Sequence, residues 1–356
     1  MTDRENFFSL VQRQGYERMP YGYSLCPDLQ ARFDAYCAER RFEPDFVMVN
    51  VPDVPARPRD MQVYYDRYYA GRTFKTGTFL DIYGVAHEPG SEAAYHMTKM
   101  HHPMQQFTDA DQVRAYPLPD YTDADLSAIV AAVESIRGQD KIAVGMMQMT
   151  IWETAWKLRG MLELMADMMD EEELAEVLFE RVTANAVLRA QAFARAGVDV
   201  IYLGDDVGMQ RTIMMSEALY CQWLKPRLKK VIDAARAVKP DVLIFYHSCG
   251  YVLPLIDHLI EAGIDVLNPV QPECMDFAEV YARFGDRLSF HGTIGTQTTM
   301  PFGTPEEVRA VVKRNLDIAG ARGGLLVQPT HLLEPEVPVE NVAAYIQACQ
   351  AYTPNG

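Results

Sequence analysis

In His247-Ser248-Cys249 an imidazole and a thiol stand two residues apart at the end of an apolar run. Residues i and i+2 leaving a strand point the same way, so the two can meet one ion, and Zn²⁺ takes both donor types at about 2.0–2.3 Å. A third donor must come from another strand end. His331, in Val327-Gln328-Pro329-Thr330-His331, is the first choice, and Cys274 and Glu273 compete with it. Taken alone, the pair more often describes a hydrogen-bonded histidine beside a buried cysteine; its place at a strand end brings the metal reading level with that one. Asp205-Asp206 closes a second apolar run. Adjacent carboxylates often cap a helix, and one of the two is expected to do only that. The other could orient a metal-bound histidine, carry a proton or act as a ligand, so both are catalytic candidates.

Tyr21, Tyr23, Asn50, Gln148, Asn268, Gln271, His291 and Gln328 also fall where strands end and loops begin. Lys and Arg are almost absent from these points. The first seven are candidates for substrate contact, and Trp152 joins them as an aromatic wall, with Trp156 equally suited to a helix core. His101-His102 lacks a partner at metal spacing and is expected to be structural. Gly320, Gly323 and Gly324 precede the last strand, so they form a turn and not a phosphate cradle.

These residues need strands to carry them. Apolar, β-branched runs predict strands at 20–25, 46–51, 141–147, 198–203, 242–247, 264–268, 288–291 and 324–328. Helical patterns alternate with them: 28–40 near the start, Ile151, Ala155, Leu158, Leu162, Met165 and Met169 as one apolar stripe, then a helix capped by Asp170. Thr304-Pro305-Glu306-Glu307 combines an N-cap, a first-turn proline and a capping-box glutamate. Eight strand–helix units, with no GxGxxG after the first strand, predict a (β/α)8 barrel with N-terminal helices. A single barrel domain would span 1–356. The Pro-, Tyr- and His-rich segment 52–121 breaks the alternation and reads as an insertion after the second strand, covering the barrel mouth or supplying an oligomer contact such as a homodimer's.

With 356 residues, 49% hydrophobic and 23% charged, the chain can bury a large core, which excludes disorder and a disulfide-stapled miniprotein. A net charge of −16 repels polyanions, so nucleic acid is not an expected partner. No run is long enough to span a membrane, the charged start MTDRENFF has no signal core, and the six scattered cysteines fit reduced thiols; a cytoplasmic protein is expected.

The order Gly204-Asp205-Asp206-Val207-Gly208-Met209-Gln210, His247-Ser248-Cys249-Gly250, Asp265-Val266-Leu267-Asn268-Pro269-Val270-Gln271, Phe284-Gly285-Asp286-Arg287-Leu288 and Pro338-Val339-Glu340-Asn341-Val342 resembles the uroporphyrinogen decarboxylase superfamily. Within it the chain looks most like the zinc-dependent, corrinoid-linked methyltransferases. The resemblance implies a (β/α)8 barrel with its site at the strand C-termini. Decarboxylases of the family carry an RQAGR-like segment after the first strand, where this chain has Tyr21-Gly22-Tyr23-Ser24-Leu25-Cys26. The methyltransferase branch binds zinc through the His and Cys of HxC and a second Cys near the last strand; here His247 and Cys249 match and His331 stands near the third position. One thiolate and two neutral imidazoles would leave the ion with a net positive charge, favouring a Lewis acid. The implied function is methyl transfer between a small methylated substrate, such as an O-methyl aromatic compound, and the cobalt of a separate corrinoid protein, since no DxHxxG cobalamin-binding pattern is present. The alternatives are a uroporphyrinogen decarboxylase-like decarboxylase, with His331 hydrogen-bonding the substrate, and a non-catalytic corrinoid- or ligand-binding accessory subunit.

Overall fold

The computed structural model describes residues 1–40, 46–90, 98–170 and 172–354. Its strands are β1 (Met48–Asn50), β2 (Phe79–Leu80), β3 (Ala86–Pro89), β4 (Thr98–His101), β5 (Ile142–Gln148), β6 (Val200–Gly204), β7 (Leu243–His247), β8 (Val266–Asn268), β9 (Ser289–His291) and β10 (Leu325–Leu326). Seven of them form a parallel sheet in the order β1-β5-β6-β7-β8-β9-β10. Helices link successive members, as the handedness and burial of parallel strands require. The architecture is of the (β/α)8 barrel class. Among the described residues no helix is long and apolar enough to cross a membrane.

Register positions the polar strand ends. Gln148 pairs with Gly204, Gly204 with His247 and His247 with Asn268, so these residues lie in one row across β5 to β8. His291 continues the row beside Leu326. Below this row the interior is apolar: Phe245 packs on Tyr202 and on Phe7, whose helix Asp3–Val11 closes the opposite end of the barrel. The helix Pro305–Ala319 starts with the expected capping box of Thr304 and Glu307.

Three local expectations are corrected. Segment 20–25 is not a regular strand: its one ladder contact is a parallel bridge from Leu25 to Leu333. It still sits between β10 and β1, with Tyr23 against Phe46 and Gly22 beside Gln328. Pro20 lacks an N–H, and Gly22 spends its hydrogen bonds on the Tyr345 hydroxyl, so no ladder propagates. The apolar stripe from Ile151 to Met169 does not belong to one helix. Gly160, at φ +97°, ends the helix Trp152–Arg159, and the following helix Met161–Asp170 is rotated so that Leu162 is 81% exposed and Met169 73% exposed. Asp170 therefore closes a helix; the next, Glu172–Ala196, follows it after one residue outside the described set.

Segment 52–121 carries the antiparallel sheet β2-β3-β4 and two short helices, Gln62–Tyr68 and Ala110–Ala115. It is tied to the barrel's flank: Arg159 donates to the Met104 and Gln105 carbonyls, Arg181 to the Val113 carbonyl and Asn185 to the Pro119 carbonyl. His102 Nδ1 lies 2.7 Å from the Lys157 carbonyl, in keeping with a structural role.

Candidate active site

A cavity of about 450 Å³ opens at the C-terminal ends of the strands. Alternation along β5 turns Val144, Met146 and Gln148 into it, and Tyr21, Tyr23, Asn50, His247, Asn268, His291 and His331 complete much of its wall. Among the described residues none of 52–121 lines it, and neither does any Asp, Glu, Lys or Arg. A second cavity of about 350 Å³ lies alongside, lined by Cys249, Gln210, Gln271, Gln297, Glu334, Glu336 and again His331. Gln271 thus faces the second cavity, where its Oε1 accepts from the Gly250 N–H at 3.0 Å. Trp152 reaches neither cavity; it is fully buried in the core.

At the junction of the two cavities, Asp206, His247 and Cys249 bring one ligand atom each within 4.8 Å of the others. His247 Nε2 is 3.3 Å from Cys249 Sγ and 3.6 Å from Asp206 Oδ1. The Cys249 N–H donates to Asp206 Oδ1 at 2.7 Å and so fixes that carboxylate. Gly204, the register partner of His247, could not be replaced without crowding: a Cβ there would lie 2.7 Å from the His247 Cβ. The expected third donor His331 stands outside this group, as do Cys274 and Glu273, because Asp206 leaves β6 next to the β7 end and is carried inward by the Cys249 amide. Glu273 is engaged elsewhere, accepting from the Gln297 N–H and the Thr298 hydroxyl.

The two aspartates separate by environment. Asp205 is buried and accepts from the Ile151 and Glu153 N–H groups at the start of the helix Trp152–Arg159, which identifies it as the capping member of the pair. Burial pushes its carboxyl up to about 7 against those hydrogen bonds. Glu153, on the same helix, accepts from the Asp206 N–H; burial first, then Asp206 and Asp205, push its carboxyl up to about 8. The Cys249 thiol is held well above its ordinary value by burial and by Asp206 and Glu153. His291 is fully buried and its imidazolium is disfavoured, down to about 4, by desolvation.

The sequence alone did not point to Tyr202 or Glu153. Tyr202 lies two residues before Gly204 on β6, so strict two-residue alternation from a strand end would have found it. Glu153 had no such signal, since its approach to Asp206 depends on how the helix meets β6.

The Uroporphyrinogen decarboxylase (URO-D) family model matches residues 75–352. The uroporphyrinogen decarboxylase of Alcanivorax borkumensis is 22% identical over 249 residues, 68% of each chain. That of Thermus thermophilus is 28% identical over 194 residues, 54% of this chain and 53% of its own, and that of Coxiella burnetii 22% identical over 183 residues, 51% and 49%. The chain thus spans about half to two thirds of the length of these curated relatives. A solved structure, a methyltransferase from Methanosarcina mazei, superposes with a TM-score of 0.66 at 18% identity over 98% of both chains, a likeness of fold. Because the matched region runs through the strands, the polar row at their ends and the helices between them, the chain belongs to the uroporphyrinogen decarboxylase family of enzymes.

Proposed function

We propose that this protein is a zinc-dependent methyltransferase that moves a methyl group between a small, neutral, methylated substrate in the barrel mouth and the cobalt of a separate corrinoid protein. The observation that carries the proposal is the convergence of Asp206, His247 and Cys249 within 4.8 Å at the edge of an uncharged cavity. The donor set fits the ion: atoms bound at 2.0–2.3 Å in a tetrahedron stand roughly 3.3–3.8 Å apart, a range that holds the 3.3 and 3.6 Å found here. Zinc held there would supply Lewis acidity toward the heteroatom that bears the methyl group. His247 would offer Nε2, Cys249 its sulfur and Asp206 one carboxylate oxygen. Two anionic donors balance the ion's charge, so the positive excess expected from two histidines and one cysteine is absent. Orientation and polarisation of the substrate then fall to the hydrogen-bonding groups of the wall, Asn50, Gln148, Tyr202 and His331, while Tyr21 and Tyr23 flank its apolar part.

The fold likeness to a protein called a methyltransferase supports the same reading. A porphyrinogen polycarboxylate fits less well, since among the described residues the lining offers no Lys or Arg to receive its charges. The test is metal analysis of protein purified without added zinc, followed by incubation with a reduced corrinoid protein and an O-methyl aromatic donor. About one zinc per chain and a shift of the corrinoid's visible spectrum to the methylated form are expected. A metal-free, folded protein that decarboxylates uroporphyrinogen, indifferent to chelators, would overturn the proposal, as would a zinc-loaded protein that transfers no methyl group from any donor.

A further inference from the structure

Behind the His247 ring runs a chain of hydrogen bonds that the proposed chemistry does not use. His247 Nδ1 is 2.6 Å from Asn268 Oδ1; Asn268 Nδ2 is 2.6 Å from the His291 carbonyl oxygen and 3.2 Å from His291 Nδ1; His291 Nε2 is 2.6 Å from Gln328 Oε1. We infer that Asn268, with His291 and Gln328 behind it, is a positioning device that holds His247 as the Nδ1–H tautomer, leaving the Nε2 lone pair directed at Asp206 and Cys249. The inference rests on the zinc reading only for what that lone pair serves.

The polarity of the chain follows from one atom that can only accept. The His291 carbonyl has no hydrogen, so the Asn268 atom against it is the amide nitrogen and the opposite atom is the oxygen. That oxygen in turn requires a hydrogen on His247 Nδ1. The alternative tautomer would face two lone pairs at 2.6 Å, and flipping the amide to relieve them would set Asn268 Oδ1 against the His291 carbonyl. The other end agrees. The second Asn268 amide hydrogen meets His291 Nδ1, which must therefore be bare, so His291 carries its hydrogen on Nε2 and donates it to Gln328 Oε1. The Tyr202 hydroxyl, 3.4 Å from His291 Nδ1, is a second donor to the same lone pair. The two histidines are thereby held in opposite tautomers, and the buried His291 stays neutral, since an imidazolium would turn an N–H on the Asn268 amide.

The backbone makes room for this arrangement. Gly292 has φ +87°, and a Cβ there would lie 2.9 Å from Asn268 Nδ2; a Cβ at Gly22 would lie 2.8 Å from Gln328 Oε1. A hydrogen-bonded partner behind a ligating histidine is worth roughly 10–100-fold in metal affinity.

The experiment uses the full chain with ¹⁵N-labelled histidine, first stripped of metal at mildly alkaline pH and then titrated with zinc against a competing chelator. The His247 resonances are identified by their loss in His247→Ala. In the wild type the His247 nitrogens should show Nδ1 protonated and Nε2 bare, and this needs no variant. Asn268→Leu should release His247 to the mixture of tautomers of a free imidazole and weaken zinc binding by about 10–100-fold. Gln328→Leu should alter the His291 signals and weaken zinc binding by a smaller factor. An Nε2–H His247 in the wild type overturns the inference, as does an Asn268→Leu variant with unchanged tautomer and zinc affinity. If the wild type takes up no zinc yet loses the Nδ1–H form in Asn268→Leu, the positioning stands and the zinc reading falls; if Asn268→Leu keeps both the wild-type tautomer and the wild-type zinc affinity, the reverse holds.

Discussion

The two ends of the barrel treat buried charge in opposite ways. At the N-terminal ends of the strands, Asp199 accepts from Arg4 at 2.7 and 3.0 Å, from Arg137 at 2.7 Å and from the Ala143 N–H at 2.9 Å. Burial alone would raise its pKa, but these partners outweigh burial and hold the carboxylate below its ordinary value. Asp265, one residue before β8, is met in the same way by Arg236 and the Ile244 N–H, although there burial prevails. At the C-terminal ends no arginine among the described residues meets the buried Asp205 or the half-buried Glu153, Lys157 only partly offsets the burial of Glu153, and the two carboxyls are pushed up to about 7 and about 8. The difference teaches what each end is for. Charges below are matched for stability; polar groups above are left with donor and acceptor capacity for a ligand.

The largest effect that would sharpen this contrast is loss of the metal. His247→Ala and Cys249→Ala should each lower zinc affinity by more than about 100-fold and remove methyl transfer, with the chain still folded by circular dichroism, because its stabilising pairs are at the other end. Asp199→Ala should do the converse. The part-exposed Arg4 and the exposed Arg137 lose the buried carboxylate they share, so unfolding in urea should show a loss of about 1–3 kcal/mol with zinc content unchanged.

Acidification should reach the upper end first. His291 is held neutral in the fold, down to about 4 from an ordinary 6.5, so the unfolded chain takes up the proton first. Its contribution, on the order of 3 kcal/mol, is complete above the ordinary value and is lost as pH falls toward the folded one. Asp199 is depressed, so its contribution is present above the ordinary carboxylate range and disappears only at lower pH, as pH falls through its folded value. Asp205 and Glu153 work the other way, since the folded chain takes up their protons first and gains stability as pH falls toward the ordinary carboxylate range, so the distinction is read as differences from the wild type. In a pH series of urea melts the difference between wild type and His291→Leu should change between the ordinary histidine value and about 4, and that between wild type and Asp199→Asn only at lower pH; a common onset would break the distinction. The smallest expected effect is that of Glu153→Gln, which keeps an acceptor for the Asp206 N–H and removes an unmatched carboxyl. Because the wild type must protonate that carboxyl on folding, the substitution should raise stability by roughly 1–2 kcal/mol at neutral pH, where an equally conservative Asp199→Asn lowers it.

Much of the barrel was legible along the chain because a parallel strand buried on both faces is written as a short β-branched run, and seven of the eight predicted runs are strands. The failures have local causes that hydrophobic spacing does not carry. At 20–25, proline and a side-chain hydroxyl replace ladder bonds while the chain still occupies its place beside Gln328. After Gly160 the helical phase restarts, which sends Leu162 outward although its spacing from Leu158 suits an inward face.

For the site, residue types and strand positions by themselves determined that His247 and Cys249 share a direction, that Asn268, His291 and Gln148 reach the same mouth, and that few cations would be there, because two-residue alternation and strand ends are properties of the chain. Only the tertiary structure decided between Asp206 and His331 beside them. That choice depends on the sideways neighbour relation of β6 and β7 and on the Cys249 amide that holds the Asp206 carboxylate, and both are contacts between segments that are distant in sequence. The polarity of the Asn268 amide was decided in the same way, by a carbonyl 23 residues further along that can accept a hydrogen and cannot give one.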